Sequence, residues 1–292
     1  MRFWETLSKP IYRFAGAKQL DIFRENSLET VLGNSVRMLD PETLEEMKAY
    51  VRGQQTACGG FADRGGKCDL YYSLFGLFVS EALGMHEVLP SLKRYIREVS
   101  QTGQLEGIHW HCAVILYAKL FGVGALPPTL RQRPKAIGDS DWSRRSSYSL
   151  FINLLTFYYT EDYYRLYQTQ RELRKIKPEA EMPCPVTAAN LVLQHSFGIK
   201  TNMLADKLIS FYRNDGSFSA VKNAPIGDLL STGVALYAMK FIRHDLRILK
   251  PDCLEFVDSL YSEGGFCATI LDPGTDVEYT FYGLLALGAL AE

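Results

Sequence analysis

The C-terminal end of the chain carries the stretch that decides the fold, GGFCATILDPGTDVEYTFYGLLALGAL, residues 264–290. A Gly-Gly-Phe triplet opens it, and Asp276 follows ten residues after the Phe. The residues after Asp276 are apolar on nearly every face of a helix, which is typical of a helix buried on both sides. Asp immediately before such a run is an N-cap signal, because its carboxylate accepts hydrogen bonds from the free amides of the first turn.

The same pattern occurs twice more in the chain. Gly59-Gly60-Phe61 precedes Asp69, and Gly216-Ser217-Phe218 precedes Asp228. Three weaker apolar stretches, without the triplet, begin near residues 109, 146 and 186. The six starts, at 69, 109, 146, 186, 228 and 276, are 37 to 48 residues apart, which is enough for two helices per unit.

More charged segments with one apolar face alternate with the six stretches and suit an outer layer of helices. The sequence therefore predicts an all-α fold, an α/α toroid of about six helical hairpins. Strand signals are weak throughout. The prediction is a single domain over residues 1–292, in which residues 1–40 form a less defined N-terminal helical extension.

Composition argues against several other classes of protein. The net charge of −1 argues against nucleic-acid binding through bulk charge. No run of 18 apolar residues occurs, so no membrane-spanning helix is expected, and the first residues lack the apolar run of a signal peptide. The six cysteines form no CxxC pair, which favours free thiols and a cytoplasmic location.

The repeat resembles that of protein prenyltransferase β-subunits and of squalene-type terpene cyclases. The stretch QTACGGF, residues 55–61, is also similar to the Gln-to-aromatic motif of the cyclases, with Phe61 where Trp is usual. The resemblance covers about residues 40–292. It implies that the inner helices surround an aromatic-lined, apolar cavity for an isoprenoid.

A pair of acids is similar to the Asp-x-Asp-Asp motif of cyclases that begin by protonating an alkene. Asp139 and Asp141 match its first and third positions, and Trp142 stands at the fourth. The resemblance implies that Asp141 is the proton donor and that Asp139 assists it. The alternative is a turn and helix cap without a catalytic role.

A basic pair is similar to the diphosphate-binding Arg-x-x-Lys of the prenyltransferases. Arg64 and Lys67 precede Asp69 and Tyr72 at the start of an inner helix, and helix N-termini favour anions. The other residues expected to bind substrate are Trp110, Asp228, Asp276, Tyr279 and Tyr282. A second cationic cluster comprises Arg131, Arg133, Lys135, Arg144 and Arg145. Ordinary solvated loop charge is the alternative for both basic groups.

Aromatic side chains are frequent in the inner stretches. Besides those named above, they are Tyr71, Phe75, Tyr148, Phe151, Tyr237 and Phe281. Such a set could stabilise carbocations through its ring faces, and it could equally hold an unreactive lipid.

No metal site is predicted. Zinc-dependent prenyltransferases carry Asp-x-Cys and a His at inner-helix starts, and the matching Cys and His positions here hold Tyr71, Leu230 and Tyr279. The remaining soft ligands, His109, His111 and Cys112, could form a site with Cys58 or Cys68, but spacing this loose is common by chance. No cofactor is therefore expected, except Mg²⁺ accompanying a substrate that carries a diphosphate.

The leading hypothesis is an enzyme that cyclises an isoprenoid or similar apolar substrate with an anionic head. The first alternative is a zinc-independent, prenyltransferase-like protein beside a helical partner subunit. The second is a non-catalytic, lipid-binding toroid. Peripheral contact with a membrane stays open, and no nucleic-acid partner is expected.

Overall fold

A computed structural model describes residues 23, 25–102, 105–131, 147–173, 175 and 182–291. Of these residues 64% are helical, so the prediction of a mainly helical chain is confirmed. The helices of the first half are α1 (Leu28–Ser35), α2 (Pro41–Gly53), α3 (Leu70–Ala82), α4 (Leu89–Gln101), α5 (Gly107–Phe121) and α6 (Pro128–Arg131). Those of the second half are α7 (Ser147–Tyr159), α8 (Tyr163–Leu173), α9 (Cys184–Ser196), α10 (Asn202–Ile209), α11 (Leu229–Phe241), α12 (Lys250–Ser259) and α13 (Val277–Leu290). Short 3₁₀ helices occupy Val36–Met38, His86–Val88 and Val123–Ala125.

Six of these helices are the apolar stretches identified in the sequence. Helices α3, α5, α7, α9, α11 and α13 begin within two residues of the six predicted starts. Where their side chains are described, most are buried; ten of the thirteen residues of α3 are buried, for example. The reading of these segments as doubly buried helices is confirmed for α3, α5, α9, α11 and α13.

The six apolar helices contact one another in a closed order. Each packs against the next, from α3 to α5, α7, α9, α11 and α13, and α13 returns to pack against α3. Helix α1 lies against both α13 and α3. The core of the molecule is therefore formed mainly where these helices face one another.

The more charged helices pack outside this circuit on one face only. In α2 the buried residues are Met47 and Val51, and in α4 they are Leu92, Tyr95, Ile96 and Ser100. Contacts link α2 to α3, α4 to α5, α8 and α10 to α9, and α12 to α13. The one-sided apolar spacing read from the sequence explains this placement.

Short strands form in the loops that carry the triplets, where the sequence shows only weak strand signals. They are β1 (Phe61–Ala62), β2 (Cys68–Asp69), β3 (Tyr261–Ser262), β4 (Gly265–Thr269) and β5 (Asp272–Asp276). Both sheets are antiparallel, with β1 beside β2 and the order β3-β4-β5. Strands of two to five residues are too short to give a period-two pattern in the sequence.

The three triplet loops share one register. The Phe of each triplet pairs with the helix-capping Asp: Phe61 with Asp69, Phe218 with Asp228, and Phe266 with Asp276. Each Phe amide also donates to a hydroxyl in the first turn of the following helix, at Ser73, Thr232 and Thr280. That hydroxyl donates in turn to the carbonyl oxygen of the Asp. The triplet, the Asp and the hydroxyl are therefore one structural unit, which occurs three times.

The cysteines depart in part from the expectation of free thiols. Cys58 and Cys68 form a disulfide, with their Cα atoms 6.6 Å apart, so the expectation is wrong for this pair. The pairing of β1 with β2 brings the two residues together, although nine residues separate them in the sequence. Cys112, Cys184, Cys253 and Cys267 are free and buried. Among the described helices, none is long and apolar enough to cross a membrane.

Candidate functional site

The N-terminal ends of α3 and α5, together with the loop between β1 and β2, line an open groove of about 480 Å³. We call it the mouth groove. Its lining residues are Asp63, Arg64, Gly65, Asp69, Tyr71, Tyr72, Ile108 and His109. Three of the residues that the sequence assigned to substrate binding, Arg64, Asp69 and Tyr72, therefore line the groove. A fourth, Asp276, accepts a hydrogen bond from Arg64.

The three Asp residues expected to bind substrate all cap helices. Asp69 accepts from the amides of Tyr71 and Tyr72, while Asp228 and Asp276 each accept from one amide of the following turn. Burial raises the pKa of Asp228, although the bonds from Ser231 oppose this shift. The N-cap reading is thus confirmed for all three, and their first oxygen is occupied by the backbone.

Arg64 is held by carboxylates of the last apolar helix and the strand before it. Its Nε donates to Asp276 Oδ2 at 2.7 Å, and its Nη1 donates to Asp272 Oδ2 at 2.6 Å. The guanidinium also lies 5.4 Å from the centroid of the Tyr279 ring. A diphosphate would have to compete with two carboxylates for this guanidinium. Lys67 is exposed beside it.

His109 faces the groove from the first turn of α5. Its Nε2 lies 3.1 Å from the second oxygen of Asp69, Oδ2. The side chain is about half exposed, so its other ring nitrogen is accessible to a ligand in the groove. Because Asp69 also caps α3, this pair joins two neighbouring apolar helices at the mouth.

A buried acid lies behind the groove, and the sequence analysis did not single it out. Glu278, the second residue of α13, is 5% exposed and accepts a hydrogen bond of 2.8 Å from the Tyr71 hydroxyl. Burial raises the pKa of Glu278 to about 7, against the lowering effects of Tyr71 and Arg64. The signal that could have found it is a Glu in a stretch that is otherwise apolar on every face.

Aromatic rings continue inward from Tyr71. The Tyr71 ring contacts the Phe75 ring at 4.9 Å between centroids, and Phe75 contacts Phe281 and Tyr282 at 5.0 and 5.7 Å. We call these four residues the aromatic cluster. Trp110 is also buried, and its Nε1 has no hydrogen-bond partner among the described residues.

A second space, almost wholly apolar, lies between α1, α7, α8, α9, α11 and α13. We call it the tyrosine cavity, after Tyr158, Tyr159, Tyr237 and Tyr282 in its wall. Its volume is about 100 Å³. The hydroxyls of Tyr159 and Tyr237 are bonded to Glu29 and to the carbonyl of Asn26, which leaves their rings as apolar surface. A dry cavity of this kind binds apolar molecules, since one of ~150 Å³ holds benzene.

An ionic cluster lies beside this cavity. The Lys119 ammonium is within 2.5 Å of Glu29 and 3.0 Å of Glu81, and it lies 4.9 Å from the centroids of the Phe78 and Tyr159 rings. Burial raises the pKa of Glu29, but Lys119 outweighs it and holds this pKa below its usual value. The charge of Lys119 is thus balanced by two carboxylates and contacts two aromatic rings. This arrangement suits a residue that holds α1 in place better than a catalytic one.

The two acids assigned to catalysis, Asp139 and Asp141, lie outside the described residues, as do Arg133, Lys135, Arg144 and Arg145 of the second basic cluster. Arg131 is described, and it donates to the carbonyls of Leu126 and Gly124. The side chains of Tyr148 and Phe151 are likewise outside the described part.

The soft ligands considered for zinc point to different partners. His109 pairs with Asp69, and the Nδ1 of His111 lies 2.9 Å from the Thr156 hydroxyl. Within the described part of the chain, no group of three or more His, Cys, Asp or Glu side chains is arranged to hold a metal ion.

No family model matches the chain, and no curated protein matches it.

Proposed function

We propose that the chain is an α/α toroid of six helical-hairpin repeats, of the terpene cyclase and prenyltransferase class, that cyclises an isoprenoid. The closed order of contacts among six apolar helices supports the toroid. The recurrence of one loop unit at Phe61, Phe218 and Phe266 supports the repeats.

The observation that carries the proposed ligand is the tyrosine cavity. Its wall is apolar, and it adjoins Tyr282 of the aromatic cluster. A volume of about 100 Å³ suits one isoprene unit, by comparison with the ~150 Å³ that accommodates benzene. The apolar end of the chain would occupy this cavity, while the polar head would lie toward the mouth groove, which the half-exposed His109 lines.

Binding is tested with farnesyl and geranylgeranyl diphosphate, by calorimetry on the purified chain. Val234→Phe places a ring in the tyrosine cavity, and we expect it to weaken binding at least tenfold. Val221→Phe is the matched control, because Val221 is 50% exposed in a loop and the same added ring meets solvent there. Equal affinities for the two variants would refute the cavity as the binding site.

Turnover is tested by gas chromatography of products from the same two substrates. Cyclic products support a cyclase. Unchanged substrate that co-purifies or binds tightly supports the non-catalytic alternative, which one observation favours: the described lining of the tyrosine cavity contains no Asp or Glu.

A further inference from the structure

One carboxyl group in the interior forms no ion pair within the described part of the chain. Glu278 is 5% exposed, and its hydrogen bond comes from the neutral Tyr71 hydroxyl. The Arg64 guanidinium, whose charge lowers the pKa of Glu278, is held by Asp272 and Asp276 at 2.6 and 2.7 Å. Within the described residues, no Lys, Arg or His forms an ion pair with Glu278. A buried carboxylate without a partner is costly, so the neutral acid is favoured.

Glu278 has a neighbour in the lining of each of the two spaces of the site. Tyr71, which holds it, lines the mouth groove. Tyr282, one helical turn further along α13, lines the tyrosine cavity. Tyr71 and Tyr282 therefore connect Glu278 to the linings of the groove and of the cavity.

The titratable and charged groups around Glu278 come from several elements. They are Tyr71 and Tyr72 on α3, Arg64 in the loop between β1 and β2, Asp228 before α11, and Asp276, Tyr279 and Tyr282 on or before α13. Burial dominates and raises the pKa of Glu278 to about 7. Burial also raises the pKa of Tyr71, so this phenol stays neutral. A large share of the molecules therefore carry a protonated Glu278 at neutral pH.

We propose that Glu278, oriented by Tyr71, is the acid that protonates the bound alkene, the role that sequence resemblance assigns to Asp141. This inference rests on the proposed cyclisation. Its geometric basis is a buried carboxyl that forms no ion pair within the described residues, accepts a hydrogen bond from a tyrosine of the groove, and lies one helical turn from a tyrosine of the cavity.

The step balances without an oxidant or reductant. The O–H bond of Glu278 breaks, and its proton forms a C–H bond with the electron pair of the alkene. The other alkene carbon becomes a carbocation, which a second alkene captures to close a ring. Loss of a proton from the final cation to the carboxylate restores the acid. The rings of Tyr71 and Tyr282, beside the carboxyl, can stabilise the intermediate cation.

The experiment compares the wild type with Glu278→Gln, Tyr71→Phe, Asp141→Asn and Glu255→Gln. The last is the matched control, because Glu255 is an exposed acid on α12. Turnover of geranylgeranyl diphosphate is measured in H₂O and D₂O, with binding by calorimetry and folding by thermal melts. We expect Glu278→Gln to lose at least 100-fold in kcat while its Kd changes less than threefold, and the wild-type product to gain one deuterium in D₂O.

The pH profile tests the role of Tyr71 as a positioning residue. Wild-type kcat should fall as pH rises through about 7, because the acid must be protonated. The Tyr71 bond lowers the pKa of Glu278, so Tyr71→Phe should move this limb to higher pH, which a merely structural contact would not do.

Several results would overturn the assignment. Full turnover in Glu278→Gln does so, and so does a large loss confined to Asp141→Asn. If Glu278→Gln fails to fold, the pH profile of Tyr71→Phe decides. A fall of kcat at the same pH as in the wild type would then refute Glu278 as the acid. A wild type that binds the substrate but never converts it refutes the proposed cyclisation itself, and the inference with it.

Discussion

At the scale of single residues, Glu278 makes folding depend on pH. Its ordinary pKa is 4.5, and burial raises it to about 7 in the folded chain. The folded state therefore holds the proton more tightly, so the stabilisation is complete below the unfolded pKa and is lost as pH rises through the folded one. The contribution of Glu278 to the free energy of unfolding is at most about 3 kcal/mol, because its pKa rises by roughly two to three units.

We predict that Glu278→Gln removes this dependence. Between pH 5 and pH 8, its free energy of unfolding should fall by about 3 kcal/mol less than that of the wild type. Urea unfolding at pH 5, 6, 7 and 8 measures the difference, and Glu255→Gln should follow the wild type. Parallel curves for Glu278→Gln and the wild type would show that Glu278 titrates normally.

Arg64 differs from other surface arginines because one of its partners is buried. Asp276 has a side chain only 4% exposed, whereas Arg64 itself is 40% exposed. We predict that Arg64→Met costs about 1–2 kcal/mol, since it leaves a buried carboxylate oxygen unpaired. Urea unfolding at pH 7 measures this loss.

Arg52→Met is the matched control. Arg52 pairs with Glu87 at 3.0 Å, and both side chains are about half exposed. Such exposed pairs contribute little to the free energy of unfolding, because solvent screens both charges. A loss in Arg64→Met no larger than in Arg52→Met would mean that the contacts of Arg64 with Asp272 and Asp276 do not stabilise the fold.

Among the elements, two of the three apolar helices that follow a triplet loop, α3 and α13, carry a glycine against the Phe of that loop, whereas α11 has Ala235 at the equivalent position. A Cβ on Gly76 would lie 2.4 Å from the ring of Phe61, and one on Gly283 would lie 2.6 Å from the ring of Phe266. Both glycines stand seven residues after the capping Asp. In these two helices, the spacing places a glycine where the Phe ring of the preceding loop packs against the helix.

We predict that Gly76→Ala destabilises the chain by about 1–3 kcal/mol through overpacking, since Phe61 is fully buried. Gly33→Ala in α1 is the control, because nothing lies within 4 Å of a Cβ there. It should stabilise by about 0.5–1 kcal/mol through helix propensity. The melting temperatures of the two variants should therefore shift in opposite directions. A shift in the same direction would show that packing of the Phe61 ring does not require glycine at position 76.

The β1–β2 hairpin is closed by the disulfide of Cys58 and Cys68. We predict that the unfolded, unreduced protein reacts with thiol reagent at four cysteines, and that reduction raises the number to six. Six reactive thiols before reduction would instead support the expectation from the sequence that all the cysteines are free. Since disulfides persist mainly in oxidising compartments, the same count bears on the predicted cytoplasmic location.

For the molecule as a whole, the last loop closes onto the first outer helix. Gly264 has φ +84°, and a Cβ there would lie 2.7 Å from the carbonyl oxygen of Glu46 in α2 and from Tyr50 Cβ. The Tyr261 hydroxyl also donates to the Glu46 carboxylate. These contacts join the C-terminal part of the chain to its N-terminal part.

Gly264→Ala tests this closure against Gly66→Ala. Both glycines have positive φ, but nothing lies within 4 Å of a Cβ at Gly66. The backbone strain is therefore matched, at about 1 kcal/mol. We predict a loss at least twice as large for Gly264→Ala, measured by urea unfolding, because α2 would have to move away from the loop. Equal losses would show that the closure adds no stability.

The local elements could be predicted because their signals are local. Asp69, Asp228 and Asp276 cap helices, and the apolar stretches after them become buried helices, since capping and burial depend on residues close together in the chain. The short strands were missed because hydrogen bonds to the triplet Phe, rather than an alternating pattern, define them.

The candidate site could be predicted only in part. Resemblance and loop position singled out Arg64, Asp69, Asp276 and Tyr279, and the structure brings these residues together at the mouth. The sequence did not predict that Arg64 pairs with two carboxylates, because Asp272 and Asp276 are more than 200 positions away in the chain. The role of Asp141 stays a prediction.

The sequence by itself determined where the helices begin, which of them are buried on all sides, and that one loop unit recurs. Only the tertiary structure decided which ends of the chain meet, that Cys58 reaches Cys68, and that Glu278 is enclosed with Tyr71. The physical reason is distance along the chain. Helix periodicity and capping act over a few residues, whereas the burial of a charge and the choice of its partner depend on groups that only folding brings together.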